Sequence, residues 1–130
     1  MSGTVTIEVP AGELIDRLTI LDIKAERITD PAQRANVEAE RAALQAARER
    51  AIPPHPDLPR LSEALRAANE ALWDIEDRIR ACEAAGDFGA EFVALARAVY
   101  RTNDRRAALK REISLALGSR LIEEKSYKPY

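Results

Sequence analysis

The residues best equipped for chemistry fall in two short runs, Asn69-Glu70-Ala71-Leu72-Trp73-Asp74-Ile75-Glu76-Asp77 and Arg97-Ala98-Val99-Tyr100-Arg101-Thr102-Asn103-Asp104-Arg105-Arg106. From them we take Asn69, Trp73, Asp77, Arg97, Tyr100, Asn103 and Arg106 as the candidate ligand-binding set. Guanidinium groups are planar forks that match a carboxylate or phosphate, and aromatic rings supply walls, so the set offers a site for a small anion or polyol. The bland reading of the same residues is a polar network between helices that is satisfied internally and fixes their register. Arg106 is the residue that separates the two. A guanidinium on an apolar seam must reach out to water or find buried acceptors, and Asn69, Glu70 and Asp16 are the candidate acceptors.

Other chemistries find less support. The single cysteine, Cys82, lies on an apolar seam, which excludes an intrachain disulfide and reads as a small core residue. The single histidine, His55, sits between prolines, so the Glu-x-x-His pairs of a di-iron bundle cannot form. Carboxylates spaced for one helix face occur at Glu13/Asp16 and Asp74/Asp77, a faint likeness to magnesium-dependent all-α nucleotide pyrophosphatases whose full paired pattern is absent. Arg106 to Lys110 has a passing likeness to helical chorismate mutases, without their very long first helix. No metal and no cofactor is expected. Arg97, Arg101 and Arg105 recur every four residues and could meet phosphates, but no aromatic ladder accompanies them and Asp74, Glu76 and Asp77 lie nearby, so nucleic acid is not an expected partner. With 20 basic against 22 acidic side chains, no global field draws the chain to DNA or an anionic membrane.

These residues must be positioned by two long helices. Leu58, Leu61, Leu65, Ala68, Leu72, Ile75, Ile79 and Cys82 alternate by three and four, as do Phe92, Leu95, Val99, Thr102, Arg106, Leu109, Ile113 and Ala116. The spacing predicts helices over 58–85 and 88–117, joined at Ala85-Gly86-Asp87 with Gly86 as the stop and Asp87 as the next N-cap. Folding this hairpin about Gly86 sets Asn69 opposite Asn103 and Trp73 opposite Val99, which gathers the polar residues at one level.

Around the hairpin, Thr4 to Val9 alternates as a strand would, and a lone strand needs either its own copy across a twofold axis or the tail beyond Gly118. A helix over 13–28 carries an apolar face wide enough to be covered on two sides. A second helix over 31–50, opened by Asp30 and Pro31, is mostly polar. Four prolines between Ala51 and Pro59 make a stiff connector, and the tail 119–130, with Leu121, Ile122, Tyr127 and Tyr130, is apolar enough to dock. The expected fold is mainly α: one four-helix, antiparallel, bundle-like domain built on a long hairpin, with one short N-terminal strand. No window approaches a membrane span, and a cytoplasmic setting is expected.

Pro10-Ala11-Gly12-Glu13-Leu14-Ile15-Asp16-Arg17-Leu18-Thr19-Ile20-Leu21, the run from Asn69 to Asp77, Tyr100-Arg101-Thr102-Asn103-Asp104-Arg105-Arg106 and Glu123-Glu124-Lys125-Ser126-Tyr127 together resemble a small bacterial family classed as a domain of unknown function. The resemblance covers nearly the whole chain. It implies a bacterial origin and an all-helical fold, and it carries over no catalytic residue. The expected function is a self-associating, homodimeric accessory or interaction module with room for a small anionic ligand. The alternative is a small enzyme acting on a phosphorylated or carboxylated metabolite through the arginine and carboxylate cluster.

Overall fold

A computed structural model describes residues 3–130, and four helices carry the chain: α1 Ala11–Arg27, α2 Pro31–Ala51, α3 Leu58–Ala85 and α4 Ala90–Ala116. Most of their ends answer a local backbone need. Asp30 caps α2 by accepting the Gln33 N–H at 2.9 Å, and Pro31 sits in the first turn, where its missing N–H costs nothing. Pro53, Pro54 and Pro56 hold the α2–α3 linker out of helix. Gly86 ends α3 with φ 67°, a left-handed backbone that a side chain would strain, and its N–H reaches Glu83 O at 3.1 Å. The start of α4 differs from expectation. Its N-cap is Gly89, and the Asp87 carboxylate accepts the Gly89 N–H at 3.0 Å, so a turn consumes the two residues the helix was expected to include.

α3 and α4 form an antiparallel hairpin whose register is marked by Arg60–Glu112 at 3.8 Å near its base and Arg78–Glu91 at 3.2 Å near its tip. Across its seam α3 buries Leu58, Leu61, Leu65, Ala68 and Cys82, and α4 buries Leu95 and Ile113. α1 packs against the other three helices, whereas among the described residues α2 packs on α1 alone. That explains the wide apolar face of α1, which buries Ile15, Leu18, Leu21 and Ile23, while α2 buries only Val37. The core cluster is Ile15 with Leu58, Leu61, Leu65 and Ile113. Each such side chain contributes about 1.5–3 kcal/mol on burial. An exposed ion pair contributes about 0–1 kcal/mol, so this cluster, not the many surface pairs, holds α1 in the hairpin.

α1 begins at Ala11, two residues earlier than its own sequence suggests. Pro10 gives it no side-chain cap. The hydroxyls of Ser114 and Ser119 instead accept the Gly12 N–H at 2.9 Å and the Ala11 N–H at 3.0 Å. The two backbones are close here: a Cβ on Gly12 would lie 2.0 Å from the Lys110 carbonyl oxygen.

No strand forms at Thr4 to Val9, or anywhere among the described residues. A ladder needs a second edge, and the neighbouring tail meets this segment through side chains, Arg120 on Glu8 and Ser119 on Ala11, without backbone pairing. Val5 and Ile7 remain 84% and 67% exposed. The tail has no regular structure; Leu121 and Ile122 are half-buried, and Tyr127 and Tyr130 are exposed. Among the described residues no helix is long and apolar enough to cross a membrane.

Candidate functional site

The centre of the polar level is Asp16, a carboxylate only 1% exposed on α1. A buried charge is costly unless its lone pairs are taken, and here they are. Arg106 of α4 grips it as a fork, Nε to Oδ1 at 3.0 Å and Nη2 to Oδ2 at 2.6 Å. Asn69 of α3 donates from Nδ2 to Oδ1 at 2.9 Å and also to Thr19 Oγ1 at 2.9 Å, while the Thr19 hydroxyl donates to the Asp16 carbonyl at 2.7 Å. Three helices therefore meet on one carboxylate. The Asp16 hydrogen bond is the main reason the Arg106 guanidinium is held above its ordinary pKa.

One turn along, Lys110 Nζ lies 2.6 Å from Glu13, 3.9 Å from Asp16 and 3.4 Å from Glu123 of the tail. Desolvation opposes the charge on both Glu13 and Lys110. The hydrogen bond between them and the surrounding opposite charges outweigh it, so the carboxyl lies below its ordinary pKa and the ammonium above. This second pair was not among the candidates read from sequence. Its signal was present: Glu13 and Asp16 three apart on one helix match Arg106 and Lys110 four apart on another, two faces of opposite charge with compatible spacing.

Beside the network, Asn69, Trp73, Asp77, Asn103 and Arg106 line one cleft of about 440 Å³, whose apolar side is Ile20, Ile23 and Leu72. Five of the seven candidate residues are brought together there. Trp73 also carries Arg27 over its ring at 5.8 Å, and Arg27 in turn holds Asp74 at 2.5 Å. Tyr100 lies on the other side of α4, in a cleft under the C-terminal tail that it shares with Asn103 and Arg106. Arg97 is exposed and lines neither cleft. Of the acids expected to neutralise the arginine stripe, Asp74 is engaged by Arg27 and Glu76 by Arg80, and Asp77 lines the Trp73 cleft. Glu70, another candidate acceptor for Arg106, pairs with Arg66 instead.

Cys82 is buried, and desolvation with nearby Glu91 and Asp87 pushes its thiol pKa up, which makes it a poor nucleophile. Among the described residues no group of three or more His, Cys, Asp or Glu side chains is placed to hold a metal ion. No curated protein and no solved structure matches the chain. A family model described as a family of unknown function (DUF6165) matches residues 5–130, and the chain belongs to that family.

Proposed function

We propose that the chain is a non-enzymatic binding module of the bacterial cytoplasm whose Trp73 cleft takes a small anionic ligand. The observation that carries this reading is the state of Arg106. Two of its N–H donors are spent on Asp16, and the others remain available at the wall of the cleft, on a guanidinium already fixed in place. A pre-oriented donor group loses little freedom on meeting a carboxylate or phosphate. The enzymatic alternative would draw on the same arginine and carboxylate cluster, in which Asp16 is committed to three hydrogen bonds from Asn69 and Arg106.

Trp73 is the only tryptophan, so its fluorescence reports on this cleft alone. Titration with inorganic phosphate and with succinate is expected to give a saturable change at millimolar concentration, tightened in Asp77→Asn, which removes a like charge from the lining. A flat response to both anions overturns the reading.

Self-association is a second part of the proposal, supported by Val5 and Ile7 standing exposed on an extended segment. Sedimentation equilibrium is expected to give twice the 14.4 kDa chain mass, with the dimer lost when the chain starts at Ala11. A monomer at every micromolar concentration removes this part and leaves the cleft untouched.

A further inference from the structure

We propose that the C-terminal tail arches over α4 to enclose a second binding site, which takes a small aromatic anion: one flat ring bearing a phosphate or carboxylate. The arch is pinned at both ends. Near its start, Arg111 donates to the Glu124 carboxylate at 2.6 Å and the Glu123 carbonyl at 3.4 Å. At its end, the Tyr130 hydroxyl donates to Asp104 Oδ2 at 2.5 Å, and its ring stands edge-on to Tyr100 with centroids 5.0 Å apart.

The two pins do not match in length. Asp104 to Arg111 spans about 10 Å of helix at the α-helical rise. Glu124 to Tyr130 can span about 20 Å of extended chain. The tail is longer than the distance it bridges, so it bows outward, and a cavity of about 1060 Å³ lies beneath it. That volume is at the upper end of the range for small-molecule sites, roughly 300–1,000 Å³.

What surrounds the cavity selects its occupant. Tyr100, Tyr127 and Tyr130 form its aromatic walls. Of the charged groups lining it, Arg106 is paired with Asp16, Lys110 with Glu13 and Lys125 with Glu123, and the Asp104 carboxylate is engaged by Tyr130. Lys128 pairs with no acid among the described residues, which leaves an ammonium at the rim for an incoming anion. Tyr127 and Tyr130 are 74% and 77% exposed. Holding a strap in place while its rings stay in water costs chain entropy with little burial in return, and a ring inserted beneath supplies the missing contact. A half-open cleft bridged by a strap favours a small molecule over a polymer.

This site meets the Trp73 cleft at Asn103 and Arg106 but is read by different nuclei. Amide and indole shifts of the ¹⁵N-labelled full chain would be followed during titration with phenyl phosphate, inorganic phosphate and phenol. Phenyl phosphate is expected to move the amides of 125–128, Tyr130 and Tyr100 saturably, at least about tenfold more tightly than either fragment. The Trp73 indole is expected to move only at the millimolar concentrations at which inorganic phosphate moves it, after the tail is saturated. Lys128→Gln and Tyr130→Ala, both on the exposed tail, are expected to weaken binding several-fold while the helix resonances away from Tyr100 and Asp104 stay unchanged. The proposal is overturned by any of three results: no saturable shift of the tail, equal response to phosphate and phenyl phosphate, or full binding in both variants. A response confined to the Trp73 indole would overturn this site while supporting the other.

Discussion

The Asp16–Arg106 pair is a test of how a buried charge is tolerated. Removing one partner of a buried pair strands the other, and with the guanidinium 29% exposed the cost of Arg106→Met is expected to be about 2–4 kcal/mol, somewhat under that of a fully buried pair. Asp16→Asn in the Arg106→Met background should then cost less than it does in the native chain, giving a coupling of about 1–3 kcal/mol in urea unfolding. Additive single costs would show that the fork is incidental. The neighbouring Glu13–Lys110 pair predicts a pH dependence. Glu13 is lowered from 4.5, so its contribution is complete above that value and is lost as pH falls through the lower folded one. Lys110 is raised from 10.5, so its contribution is complete below that value and is lost as pH rises through the higher folded one. The contribution of this pair to the urea midpoint, taken as the difference between the native chain and Lys110→Met, is therefore expected to be level between about pH 5 and 10 and to fall on both sides.

At the scale of the elements, Gly12 sets how closely α1 approaches α4. Gly12→Ala places a methyl against the Lys110 carbonyl and is expected to cost about 3 kcal/mol, measured by urea unfolding, because backbone on both sides must move. A cost near the helix-propensity difference alone would mean that the contact relaxes freely. This junction also shows where reading the sequence stops. The seams of α3 and α4 were legible because burial imposes a three-and-four spacing along one chain, and Gly86 announces the turn between them. Arg106 stood out as an exception on that seam, and Asp16 was among its few possible acceptors. The early start of α1 was not legible, since its caps, Ser114 and Ser119, lie about a hundred residues away. Nor was the fate of Thr4 to Val9. A period of two states which faces a strand would have, and says nothing of whether an edge exists to pair with it. The Lys110 pair was overlooked because its two spacings become a signal only once α1 is known to lie against α4.

For the whole molecule, the packing arrangement predicts unequal stability. α2 rests on α1 alone and buries one side chain well, whereas α1, α3 and α4 share the core cluster. Native-state hydrogen exchange in low urea should find the α2 amides around Val37 and Leu44 opening below the global free energy, and those around Leu61 and Leu65 only with it. A single opening energy for all four helices would contradict this.

The borrowed caps of α1 also have a consequence for synthesis. Translation proceeds from the N-terminus at about 5–20 residues per second, so α1 is synthesised roughly 5–20 s before Ser114 and Ser119 are made. During that interval α2 can shield one side of the helix, while the side bearing Ile15 and the uncompensated Asp16 waits for α3 and α4. A nascent chain stalled before Ser114 would hold its first helix uncapped and half-covered, with apolar surface open to aggregation.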